Sequence, residues 1–96
     1  LNAGRDTIRA ASSYYLGRFD ECVRWATRAV RSQDPRPWVF GILIAGLEQL
    51  DRTEDIAAVR TQLLQKFPEV TLADLPGSVQ ESPFKGALER AGMPAS

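Results

Sequence analysis

The sequence contains no histidine and a single cysteine, Cys22, in 96 residues. Without histidine the chain lacks the commonest general base, the commonest zinc ligand and the side chain that titrates near neutral pH. With one thiol no internal disulfide can form, and a reducing, cytoplasmic setting is expected. Net charge is absent too: twelve Lys and Arg balance twelve Asp and Glu. Nothing global therefore points to nucleic acid or to an anionic membrane. A phosphate-binding glycine loop, a nucleophile elbow, a paired-cysteine metal motif and a dinucleotide fingerprint are all missing. No catalytic residue, metal ligand or cofactor is expected, and the chain reads as a non-enzyme.

A long apolar run is the next thing lacking. The stretch RPWVFGILIAGLEQLDR comes nearest, with eleven uncharged residues from Pro37 to Leu47 before Glu48, Asp51 and Arg52. A membrane-spanning helix needs roughly 20 predominantly apolar residues, so this is a buried soluble helix instead. The beginning, LNAGRDTIRA, has no apolar segment of the secretory kind. It starts on Leu rather than Met, and the chain is read as a piece of a longer polypeptide.

What is present is helical periodicity punctuated by turns. Residues 3–15 form the first expected helix, with Ile8, Ala11 and Tyr15 on one face, Asn2 or Asp6 as start signal and Gly17 as the break. A second runs from Phe19 to Ser32, its apolar set Phe19, Cys22, Val23, Ala26, Ala29 and Val30 opposed by Arg24, Thr27, Arg28 and Arg31. Two prolines in SQDPRP end it. Pro37 opens a third helix, to about Leu50. Thr53, as a hydroxyl cap followed by Glu54 and Asp55, opens a fourth bearing Ile56, Val59, Leu63 and Phe67, which Pro68 closes. Residues 69–81 are irregular, with room for one helical turn from Thr71 to Leu75. A last helix occupies 82–92, with Ser82 as cap, Pro83 first, Phe84, Ala87, Leu88 and Ala91 on its apolar face and Gly92 as stop. No segment alternates as a strand does, so the expected fold is all-α, one domain spanning 1–96.

An internal repeat organises these helices. LGRFDECVRWATRAV (16–30) laid over LDRTEDIAAVRTQLL (50–64) keeps an offset of 34 residues. Leu16 meets Leu50, Arg18 meets Arg52, Asp20–Glu21 meets Glu54–Asp55, Cys22 meets Ile56 and Thr27 meets Thr61, while Ala11 meets Ala45 in the preceding helices. Two units, 3–34 and 37–68, each read as helix, tight turn, helix. A helix-turn-helix of this period has the length of a tetratricopeptide repeat.

The chain resembles the tetratricopeptide repeat family over roughly residues 3–70. Gly17 stands at the family's turn glycine, Phe19 at its aromatic, Cys22 and Ala29 at its small positions and Pro68 at its terminal proline. Unit two departs from the pattern, with Asp51 in place of the glycine and Ile56 and Leu63 in place of the small residues. The family's first-helix pattern is poorly kept in both units, where Asp6, Arg9 and Ala10, then Phe40, Leu43 and Ile44, take its places. The tail SPFKGALERAGMP is similar to the ends of helical-repeat regions in bacterial adenylate/guanylate cyclase-like proteins and winged-helix transcription regulators.

The resemblance implies a stack of hairpins whose first helices line a concave face. Thr7, Ala11, Tyr14 and Tyr15 from unit one, with Trp38, Gly41, Ile42, Ala45, Glu48 and Gln49 from unit two, would form that wall. Trp38 and Ile42 are its expected exposed part. Rings and amides on such a wall suit a protein or peptide partner; the same aromatics could instead cover a small core. A homodimer through the third helix and a small ligand between Tyr14/Tyr15 and Trp38 are the two alternatives. Arg24, Arg28 and Arg31 read as a solvated stripe without interleaved aromatics. Cys22 reads as a core thiol, and the acidic pairs as complements to helix dipoles rather than as a carboxylate dyad or metal ligands.

Overall fold

A computed structural model describes residues 2–96, with side chains from Gly4 onward. Leu1 and the side chain of Asn2, one of the two expected start signals, lie outside the described residues. The order is α1 (Asn2–Tyr15), α2 (Phe19–Val30), α3 (Pro37–Gln49), α4 (Thr53–Lys66), a 3-10 turn (Leu72–Asp74), α5 (Gly77–Gln80) and α6 (Pro83–Arg90). No strand occurs among the described residues.

The two tight turns, after α1 and after α3, close in the same way. After α1, Gly17 takes φ 76°, its N–H donates to Tyr14 O and that of Arg18 to Ser13 O. After α3, Asp51 takes φ 54°, its N–H donates to Glu48 O and that of Arg52 to Leu47 O. Both are Schellman closures, in which a left-handed residue lets the chain satisfy the last helical carbonyls. Arg18 and Arg52 then enter the next helices with φ −93°, ψ 71° and φ −90°, ψ 68°. Arg18 pairs with Glu21 and Arg52 with Asp55, each three residues on. Thr27 Oγ1 donates to Val23 O and Thr61 Oγ1 to Ala57 O. Each of these features recurs at the 34-residue offset read from the sequence.

Unit two performs with aspartate what unit one performs with glycine. A side chain in the left-handed region carries a steric cost that glycine avoids, tempered for Asp by its short polar side chain. Asp51→Gly is therefore expected to raise stability by about 0.5–1 kcal/mol, seen as a higher urea midpoint with unchanged slope.

Helix starts differ from expectation in two places. Asp6 lies inside α1, which begins a turn earlier at Asn2. Thr53 is the first helical residue of α4; the cap position belongs to Arg52, which makes no side-chain cap bond. Pro37 and Pro83 open α3 and α6 as expected, and Ser82 Oγ accepts from Phe84 N. Within the irregular 69–81 segment, Pro76 is the cap residue of the single turn of α5, which makes no side-chain cap bond. The turn Leu72–Asp74 is secured by a capping box between Thr71 and Asp74.

Every residue of α3 from Val39 to Leu47 is buried. It touches α1, α2, α4 and α6, so apolar character round its whole circumference is what its position requires. One core runs through it, joining Ala10 of α1, Cys22 and Ala26 of α2, Leu63 of α4, Leu72, Leu75 and Val79 of the connection and Phe84, Ala87 and Leu88 of α6. α4 is held more lightly. Leu63 alone is fully buried on it, with Phe67 set edge-on against Phe40 at 5.8 Å. Its other apolar positions, Ile56 and Val59, are half-buried, because α3 is its principal neighbour.

After α4 the chain turns back rather than extending the array. α6 returns onto α3, and its end is closed at Gly92 (φ 101°), with Gly92 N donating to Glu89 O and Met93 N to Leu88 O. Leu72 N and Ala73 N donate to Pro94 O and Ala95 O, fastening the last residues to the 3-10 turn. This return makes the body nearly equidimensional, 31 × 30 × 25 Å.

Candidate interaction surface

The residues expected to line a groove do lie on α1 and α3, but α6 packs on α3 and sets Phe84 against the end of α1. Phe84 sets its ring 5.3 Å from that of Tyr14 and 5.8 Å from that of Tyr15, both edge-to-face. Tyr14 also meets Phe19 at 5.5 Å. Two opposed aromatic edges of this kind add to the area they bury. Further along, α6 lies so close to α3 that a Cβ on Gly41 would stand 2.9 Å from both Leu88 Cγ and the Phe84 carbonyl oxygen. Glycine is needed there because the opposing atom is backbone and cannot rotate away. Gly46 makes the corresponding approach to α2, where a Cβ would meet Cys22 Sγ at 3.0 Å and Val23 Cγ2 at 3.1 Å.

At its end α6 is clamped by charge. Arg90 donates from Nε to Glu48 Oε2 at 2.8 Å and from Nη2 to Glu48 Oε1 at 2.7 Å. This forked pair holds the guanidinium above its ordinary pKa, the hydrogen bonds to Glu48 being the main cause. Glu48, expected to meet a partner, is thus engaged within the chain.

The remaining wall residues divide into covered and open sets. Ile42 and Ala45 are only 2% and 1% exposed, so the expectation that Ile42 faces solvent is corrected: α3 is enclosed on all sides. Gln49 is exposed, Trp38 and Thr7 are half-buried, and Ala11 is half-buried on α1. Thr7 and Trp38 share a cavity of about 290 Å³ with Gly4, Ser32, Asp34 and Arg36. Ser32 Oγ is buried there and has no hydrogen-bond partner among the described residues. Tyr14 and Tyr15 do not line this cavity; their rings meet Phe84.

The inner side of α1 consists of Asp6, Ala10 and Ser13, not of Ile8, Ala11 and Tyr15. Ile8 is 68% exposed, Tyr15 64% and Leu16 67%. Helical spacing places Ile8, Ala11 and Tyr15 in one stripe, of which Ile8 and Tyr15 face outward while Ala11 packs half-buried against the core. Asp6 goes inward because Arg28 reaches over from α2, Nε to Oδ2 3.5 Å, and pairs with it. Cys22 is fully buried as expected, its Sγ 3.8 Å from Ile42 O, and burial pushes its thiol up to about 11. At neutral pH it is an uncharged core group.

Trp25 is the residue that sequence reasoning passed over. It is half-buried between α1 and α2, with the guanidinium carbons of Arg9, Arg24 and Arg28 at 4.7, 4.9 and 5.4 Å from its ring centroid. The arginine stripe of α2 therefore does have an aromatic among its members, and the adjacency in ECVRWATRAV was the signal for it.

Among the described residues no three His, Cys, Asp or Glu side chains are grouped to hold a metal ion, and no helix is long and apolar enough to cross a membrane. Comparison with protein-family models, with curated proteins and with solved structures finds no match.

Proposed function

We propose that this chain is a non-catalytic protein-interaction module of tetratricopeptide-like construction, whose contact surface is the outer side of α1 rather than the groove between the first helices. The observation that carries the reading is the stripe of Ile8, Tyr15 and Leu16, each about two-thirds exposed. Large apolar side chains scattered singly are ordinary on a protein surface; Ile8 and Tyr15 on one face of α1, with Leu16 directly after the helix, support a patch of the kind that partners cover. The recurrence of turn, cap and ion pair at 34 residues supports the repeat reading. The likeness of the tail to the ends of helical-repeat regions in bacterial regulators supports a place within a larger regulatory or signalling protein, in the cytoplasm.

The occupant of the stripe is a peptide or helix from another protein, with a second copy of this chain as the alternative. Selection of random displayed peptides on the folded domain tests the first. Enriched sequences should bind the wild type and lose at least about tenfold against Ile8→Ser/Tyr15→Ser, a loss of about 1.4 kcal/mol or more. Equal binding to the double variant would place the contact elsewhere. Sedimentation velocity across dilution from high micromolar concentration decides the alternative: a concentration-dependent dimer abolished by the same two substitutions would make the stripe a self-association face.

A further inference from the structure

A second surface lies on the other side of α1, where it meets α2. Arg9 on α1 and Arg24 and Arg28 on α2 converge on the Trp25 ring at 4.7, 4.9 and 5.4 Å. Arg5, one turn before Arg9, is exposed and extends the set, whereas Arg31 borders a separate groove with Thr27, Leu43 and Arg52. Asp6 is the acid in their midst, and it engages Arg28 from a buried position while leaving that side chain 57% exposed. At the far end of α2 Asp20 and Glu21 mark the border, with Glu21 taken up by Arg18 at 3.9 Å. Residues 1–36 carry seven Arg against four acids, so the positive charge of a neutral chain is gathered here.

Like charges so crowded repel one another unless something offsets them. The indole offers its electron-rich face to the guanidinium groups; Arg28 Nε is engaged by Asp6 at 3.5 Å, while Arg9 and Arg24 are exposed and have no carboxylate partner among the described residues. The forked donors of a guanidinium match carboxylates, which accept two parallel hydrogen bonds. A long polyanion fits less well: residues 37–96 carry eight acids against five bases and would repel it, and the indole, already attended by three guanidinium groups, has little face left for a base to stack on.

We propose that the Arg9–Arg24–Arg28 cluster around Trp25 docks a short acidic protein segment, its carboxylates received by the guanidinium forks. This surface is independent of the apolar stripe and stands whether or not that stripe binds a partner.

The test uses Trp25 as its own reporter, in a Trp38→Phe background so that one indole remains. Titration with a synthetic oligo-glutamate peptide should change the Trp25 emission saturably, with affinity that falls as salt rises. Arg9→Lys/Arg24→Lys/Arg28→Lys keeps the charge but loses the forks, and should weaken binding at least about fivefold. Arg60→Ala/Lys66→Ala, which removes two charges from α4, should leave it unchanged. Three results would overturn the proposal: no saturable change, equal affinity in the triple lysine variant, which would mean diffuse attraction only, or tighter binding of a single-stranded oligonucleotide of matched charge. Circular dichroism of each variant confirms the fold, and the salt titration of the parent protein reads out even if the triple variant unfolds.

Discussion

Leu88→Ala is expected to destabilise the protein by about 3 kcal/mol, within the range for emptying a buried leucine site. Leu88 is wholly inaccessible, and its Cγ lies 2.9 Å from where a Cβ on Gly41 would stand. A domain of this size has roughly 5–15 kcal/mol of net stability. The substitution therefore removes a fifth or more of it, a fall in Tm of about 12–24 °C. Thermal unfolding by circular dichroism reads the shift. A loss below about 1 kcal/mol would mean that α6 rests on the surface and is not part of the core.

Gly41→Val should be comparably costly for the opposite reason. Its Cβ alone would stand 2.9 Å from a backbone oxygen of α6, and two further methyl groups must also find room. Overpacking of this sort costs about 1–3 kcal/mol, and the fixed carbonyl puts this case at the upper end. Gly46→Ala is the informative contrast. Its nearest neighbours are the side-chain atoms Cys22 Sγ and Val23 Cγ2, at 3.0 and 3.1 Å, which can yield by a few tenths of an ångström. Replacing glycine in a helix interior also gains about 1 kcal/mol of helix propensity, so this change should be near neutral. Urea denaturation of the two variants gives the comparison, and equal destabilisation would contradict the seating of α6 at Gly41.

The helices and their turns were legible because local rules and tertiary demands agree there. Gly17, Pro37, Pro83 and Gly92 occupy the backbone conformations that their chemistry favours, and the buried face of α2 follows its apolar spacing. The left-handed Asp51 could be located only through the repeat, since Asp by itself signals such a turn weakly. Burial around α3 followed from its uninterrupted apolar run. What could not be read was which exposed-looking surfaces find a neighbour. Ile8 and Tyr15 have the spacing of a buried face and are turned outward, whereas Asp6 and Ser13 go inward. The reason lies beyond helical periodicity: α1 packs with its Asp6–Ala10–Ser13 side, and Arg28 from another helix neutralises the acid.

The candidate site was legible to a similar depth. The sequence named the wall residues, and its apolar C-terminal helix was visible, but nothing in the spacing said that this helix folds back into the wall. That depends on a turn after Pro68 and on the contact of Gly41 with Leu88, both set by the assembled structure. The Arg–Trp25 cluster needed two helices side by side, with Arg9 supplied from α1.

The seat of α6 on α3, with Phe84 set against the end of α1, decides which surfaces are open. Nuclear Overhauser effects between the ring protons of Phe84 and those of Tyr14 and Tyr15, and between the Leu88 methyls and the Gly41 Hα, test it most directly. The rings stand 5.3 and 5.8 Å apart and Leu88 overlies Gly41, so all these cross-peaks are expected. Their absence, together with random-coil shifts for residues 83–90, would show an open groove and contradict the account.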